Sequence, residues 1–228
     1  MFIANKKYVK TITKPINTNM KKLTLIAFAM LMMATFANAQ IANSAHNFST
    51  ASWNSTGEIC KVCHTPHNAN TLATPLWNHD VSTQSYTTYS SSTLNAVVGQ
   101  PAGMSKLCLS CHDGTVALNN FGGNTYSGAP VTMSGTANLG TNLSNDHPVS
   151  FTYNDLLATT DGGLFPPTTT LSGVGSSTGH INDDMLFGAG HDQMECSSCH
   201  DVHNSYGLGS LLIKSNAASA LCLTCHDK

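Results

Sequence analysis

The sequence predicts a mainly irregular fold with short α-helices and little β-structure. Three observations carry that prediction. Beyond residue 40 the chain is rich in Gly, Ser, Thr and Asn and poor in long aliphatic runs. Such a composition buries too little apolar surface to offset the entropy of ordering. Helical signals are short and coincide with a recurring cysteine motif. That motif, Cys-x-x-Cys-His, occurs four times and uses all eight cysteines.

Taken in order, the chain begins with six of its ten basic residues in the first 22 positions. Met20-Lys21-Lys22, the apolar run Leu23 to Phe36, and Ala37-Asn38-Ala39 form the three parts of a secretory leader. Residues 1–19 read as an overlong start, and cleavage is expected after Ala39. The apolar run is too short to span a bilayer, so the mature chain is expected to be exported and not membrane-spanning. Its location is then periplasmic, extracellular or at the cell surface.

The mature part keeps only Lys61, Lys106, Lys214 and Lys228 against all 12 acids, four positive against twelve negative, hence −8, and the chain has no Arg. That sign disfavours nucleic acid, whose phosphates are neutralised by Lys and Arg. A basic redox protein or a positively charged extracellular acceptor fits better.

The four motifs are Cys60–His64, Cys108–His112, Cys196–His200 and Cys222–His226. Their spacing is the attachment signature of c-type haem. Thiols at Cys60 and Cys63, Cys108 and Cys111, Cys196 and Cys199, and Cys222 and Cys225 add to the two vinyl groups of one porphyrin each. The adjoining His64, His112, His200 and His226 then reach the irons. Four covalent haems are expected, supplying the apolar faces that the polypeptide lacks, so the core is haem-organised and the haem-free chain largely unfolded. A thiolate zinc site would also use Cys-x-x-Cys pairs, and an exported protein can carry disulfides. Neither explains a histidine after every second cysteine.

The motifs form two similar pairs. CKVCHTPH (60–67) precedes LCLSCHD (107–113), and CSSCHDVH (196–203) precedes LCLTCHD (221–227). Duplication of a two-haem unit is the simple reading, with a first unit over 40–150 and a second over 151–228. Between the motif pairs, residues 119–179 are dominated by turn formers, with Pro130, Pro148, Pro166 and Pro167. Irregular wrapping is expected there, with a short extended piece near Pro148 to Tyr153. Ser105 and Asn216 are the expected N-caps of the helices carrying motifs 2 and 4, and Gly114 the stop after motif 2.

Seven further histidines follow residue 40: His46, His67, His79, His147, His180, His191 and His203. They exceed the four needed to close every iron, which favours bis-histidine coordination. His67 and His203 each lie three residues after a motif histidine. Two such imidazoles cannot reach opposite faces of one porphyrin, so each is expected to ligate a different haem from its neighbour's. His46 and His147 are the preferred remaining distal ligands, with His180 next; His79 and His191 are expected to be loop histidines. Met104, Met133, Met185 and Met194 are expected to pack against haem edges rather than ligate iron.

These pieces, together with Ala45–Ser49, Pro75–Asn78 and Asp146–Phe151 (DHPVSF), resemble the multihaem c-type cytochromes with doubled CxxCH motifs. The resemblance spans most of the chain after the leader, except Asp155–Gly190. It implies a low-potential electron-transfer protein, not an enzyme, with His46, His67, His147 and His203 as distal ligands. It also leaves room for polymerisation into extracellular filaments, with His46 as the ligand that would cross between subunits. A multihaem reductase would need an open haem site with acid–base or cationic groups beside it, and the histidine surplus argues against one.

Overall fold

The computed structural model describes residues 40–70, 76–123 and 129–227. The predicted leader (1–39), Pro75 and Lys228 lie outside the described residues. All described residues belong to one unit, Ala39–Lys228.

Regular structure is sparse, as the composition predicts. Four α-helices occur among the described residues: α1 (Gly103–His112), α2 (Asp155–Asp161), α3 (Ile181–Asp184) and α4 (Cys222–Cys225). Two two-residue strands, β1 (Phe151–Thr152) and β2 (Gln193–Met194), pair antiparallel with Phe151 opposite Met194. The extended piece expected near Pro148–Tyr153 is β1. Six short 3₁₀ turns complete the described regular structure, two of them on motifs 1 and 3.

Helix α1 starts earlier than predicted, after an extended Ala102, and Ser105 sits inside its first turn. The correction has a long-range cause. The Ser105 N–H donates to Glu195 Oε2 (3.0 Å), and Ser105 Oγ donates to the same oxygen. A carboxylate 90 residues away satisfies the donor at the helix N-terminus that a local cap would have taken. Gly103 makes room for it: its φ is +48°, and a Cβ there would lie 2.8 Å from Glu195 Oε1. The helix ends at His112, and Gly114 (φ +72°) stops it as expected; a Cβ on Gly114 would meet Asn138 Nδ2 at 2.5 Å.

Helix α2 falls in a stretch read as irregular wrapping. Its N-cap Asn154 accepts from the Leu157 N–H (3.0 Å), and left-handed Gly162 ends it. Asn154→Ala should therefore lower stability by about 1 kcal/mol, read as a lower denaturant midpoint with haem content unchanged. Asn216 does precede a 3₁₀ turn, but its side chain makes no capping bond; its Oδ1 accepts from the Cys222 thiol instead (3.6 Å).

The apolar core is uneven. One cluster joins Phe151, Tyr153, Ala158, Val174, Ile181, Met185, Leu186, Met194, Ile213, Leu221 and Cys225, all in the second half. The first half holds a much smaller cluster of Tyr86, Leu109 and Leu143. Met185 and Met194 belong to the larger one, so both are packing residues of the polypeptide core.

Motifs 1 and 3 are followed by matching backbone hydrogen bonds. After motif 1, Thr65 N donates to Leu76 O (2.9 Å) and Asn78 N to Cys63 O (2.9 Å). After motif 3, Asp201 N donates to Leu211 O (2.7 Å) and Ile213 N to Cys199 O (3.0 Å). His64 thus bridges Trp77 as His200 bridges Leu212. Asn68 and Asn204 are left-handed at the same place in each copy, both at φ 57°, a conformation asparagine tolerates. Motif 4 uses a related bridge, His226 to Leu164.

Candidate haem-binding sites

Each motif is wound into a single turn that gathers its three reactive groups. His64 N donates to Cys60 O (2.8 Å), His200 N to Cys196 O (3.1 Å) and His226 N to Cys222 O (3.0 Å). Motif 2 lies wholly within α1 and its C-terminal turn. Positions i, i+3 and i+4 of such a turn share one face, so two sulfurs and an imidazole line one side. None of the eight cysteines is paired in a disulfide.

Three motif histidines stand opposite a second histidine from elsewhere in the chain. The ring centroids are 6.1 Å apart for His112 and His46, 6.2 Å for His64 and His203, and 6.3 Å for His226 and His147. An imidazole nitrogen sits about 2 Å from a bound transition metal. The ring centre lies a further ~1.1 Å behind that nitrogen, so two imidazoles flanking one metal ion have centroids ~6.2 Å apart. The three separations suit an iron between each pair. His203 pairs with a haem motif other than the one beside it, as its spacing requires.

The other ring nitrogens are held. The Nδ1–H of His112 donates to Ala137 O (2.7 Å), that of His147 to Pro148 O (2.9 Å), and that of His200 to Ser210 O (2.8 Å). His203 Nδ1 faces Asp201 Oδ1 at 3.6 Å. Fixing one nitrogen this way orients the ring and frees Nε2 for a metal. His46 is half-buried, and its pKa is lowered first by desolvation and then by His112, against a hydrogen bond to the Val202 carbonyl. The neutral ring, which is the ligating form, is favoured there.

The remaining histidines divide by role. His67 is exposed on the loop after motif 1, where its N–H donates to Thr65 Oγ1 (3.4 Å). Among the described residues it does not stand opposite His200 in a fourth ring pair of this kind. His180 is the N-cap of α3, with Asp183 completing a capping box. His191 is exposed in a turn with φ 47°. His79, expected to be a loop histidine, lies outside the helices and the two strands but is only 2% exposed, with its ring nitrogens 2.9 Å from Asp80 O and 3.3 Å from Leu118 O. His46 faces His112 of its own chain.

Tyr89, Val98, Leu109, Leu143 and His147 line a small apolar hollow beside Cys196. Trp77 Nε1 and Ser197 Oγ are buried without a hydrogen-bond partner, one bridged to motif 1 and one inside motif 3. Buried polar atoms of this kind require a partner, which a haem propionate or a water beside it would supply.

Residues 189–228, which contain motifs 3 and 4, match the family model described as the doubled CXXCH motif. That match, over motifs 3 and 4, supports a likeness to the multihaem c-type cytochromes. No curated protein matches the chain. Among the described residues, no helix is long and apolar enough to cross a membrane.

The cysteines of successive motifs lie within each other's electrostatic reach. Burial first, then neighbouring cysteines, push Cys63 and Cys199 up to about 11 and Cys111 and Cys225 to about 12. The neighbour acting on Cys111 is Cys63, and the one acting on Cys199 is Cys222. Cys108 is raised by its hydrogen bond with Cys196 before burial adds to it. Motif 1 is thus beside motif 2, motif 2 beside motif 3, and motif 3 beside motif 4.

Two buried carboxylates escaped the sequence reading. Asp113, directly after His112, accepts from Ser82 Oγ (2.5 Å), Tyr86 OH (2.6 Å) and the Thr115 N–H and hydroxyl (2.8 Å each). Burial alone would raise its pKa, but these bonds together outweigh burial and hold it low. The acid in CHD was the available signal. Glu195 had a clearer one, since it alone precedes a motif with a charge where Ile59, Leu107 and Leu221 precede the others.

Proposed function

We propose that this protein is an exported tetrahaem electron carrier or relay with bis-histidine, low-potential haems. The observation that carries the reading is the set of three histidine pairs spaced to hold an iron between them. His64 with His203, His112 with His46, and His226 with His147 are the first three ligand sets. His200 with His67 is the fourth, by reciprocity: the segment after motif 3 reaches the first haem, and the matching segment after motif 1 reaches the third. The two dihaem units, 40–150 and 151–228, exchange ligands in this way.

Each haem supplies a one-electron iron couple. The polypeptide's part is to fill both axial positions, hold the imidazoles at fixed tautomers, and keep successive haems adjacent. Two histidine ligands set low potentials. With no open position for a substrate, the reading is electron transfer rather than catalysis. The leader supports export to the periplasm or beyond, and the formal −8 of the mature chain favours a basic redox partner or a positively charged extracellular acceptor.

A haem-to-protein ratio measured with the visible and near-infrared spectra of the ferric holoprotein tests this directly. Four haems per chain with only low-spin, bis-histidine bands is the expected result. Fewer haems, or high-spin bands in the untreated protein, would overturn it.

A further inference from the structure

Glu195 lies where motifs 2 and 3 meet. It is 5% exposed, yet carries a carboxylate. Its Oε2 accepts from Ser105 N (3.0 Å), Ser105 Oγ and Ser150 Oγ (3.1 Å). Ser105 is three residues before Cys108 on α1, and its Oγ in turn accepts from the Cys196 N–H (3.0 Å). One short path of hydrogen bonds therefore links this carboxylate to the backbone that carries a cysteine of motif 3 and a helix that carries motif 2.

No cation balances it. The two ion-pair contacts among the described residues are His180–Asp183 and His203–Asp201, both elsewhere. Lys106 of α1 lines a different cleft, beside Asp80 and Ser82. The charge is felt on both sides of the junction. After their mutual hydrogen bond and burial, Glu195 is among the groups that act on both the Cys108 and Cys196 thiols, pushing each up. Asp113, buried beside His112, adds charge of the same sign near motif 2. Motif 4 differs: Lys214 Nζ donates to Ser172 O and to Thr224 Oγ1, both at 2.8 Å, and Thr224 lies between Cys222 and Cys225.

We propose that Glu195 is a potential-setting residue, which holds the haems of motifs 2 and 3 in the ferric state relative to the haem of motif 4. Ferric iron becomes ferrous by gaining one electron from the donor, so each reduction adds one negative charge to the haem. A fixed, uncompensated carboxylate nearby opposes that gain, whereas a fixed ammonium favours it. At a separation of about 10 Å and an effective dielectric constant of about 20, one unit charge shifts such an equilibrium about tenfold. Electrons entering the relay then rest at its motif 4 end and cross the centre only transiently. The proposal rests on the tetrahaem reading above.

The test is a spectroelectrochemical titration of the full-length holoprotein and of Glu195→Gln, which removes the charge but keeps the shape and an acceptor oxygen. Two of the four potentials should rise, by about tenfold in the one-electron equilibrium, or about 59 mV, with four low-spin haems retained. Four unchanged potentials in a fully loaded variant would overturn the proposal. Ser150→Ala provides an arm of opposite sign. Removing one donor leaves the carboxylate less compensated, so the same two potentials should fall, and a rise or no change counts against the idea. A wild-type protein with fewer than four haems would instead defeat the tetrahaem reading, which is a distinguishable outcome.

Discussion

Replacing His203 by alanine is expected to convert one haem in four from six-coordinate low-spin to five-coordinate high-spin. The affected haem is the one attached at motif 1, although the substituted residue belongs to motif 3. The reason is the His64–His203 pair, whose nearly parallel rings (16°) and 6.2 Å separation leave room for one iron and little else. About a quarter of the haem absorbance should acquire high-spin bands and become able to bind carbon monoxide, and added imidazole should restore the low-spin spectrum. His180→Ala serves as the control. That ring caps α3 beside Asp183, so its loss should cost at most about 1 kcal/mol of stability and leave every haem low-spin. A His203→Ala protein that stays wholly low-spin would show that the pairing is wrong.

A chain with all eight cysteines changed to serine should fail to fold. Its radius of gyration, for 40–228, should move from about 16 Å toward about 46 Å, the compact and unfolded expectations for that length. The argument rests on where apolar side chains are buried. Among the described residues, the core cluster of the first half joins just Tyr86, Leu109 and Leu143, too few to offset the ordering of so long an irregular segment. The second half has a larger cluster around Tyr153, Ile181 and Met185, so residual structure should concentrate there. Small-angle scattering and hydrogen exchange read both effects. A haem-free chain that stays compact with protected amides in its first half would remove the haems from their role as core.

What the sequence made legible is chemistry of short range. A haem attachment site is five consecutive residues, and each of the four is wound into the turn its spacing requires. The spacing kept His203 from sharing a porphyrin with His200, and its ring stands 6.2 Å from that of His64 in motif 1. His46 and His147 stand opposite motif histidines, as the resemblance implied. The sparse regular structure followed from composition, and β1 from its extended, proline-flanked sequence. The misses share a different cause, which is partners far away in the chain. Ser105 looked like an N-cap because nothing local reveals that Glu195 arrives to take that role. His79 gave no sign of its burial because the carbonyl of Leu118 that covers it lies 39 residues on. Helix α2 was hidden for another reason. Its capping pattern, Asn154 before Asp-Leu-Leu and glycine after Asp161, sits in a stretch whose prolines and threonines read as loop.

On the proposed pairing of His64 with His203, neither half of the molecule is self-sufficient, much as two clasped hands each need the other to stay closed. Ligation at the first attachment site then waits until His203 has emerged, so the final coordination shell is settled late in biogenesis. Cutting between the halves should yield two fragments that are each stained with haem yet coordinately unsaturated, and that regain full ligation only when mixed.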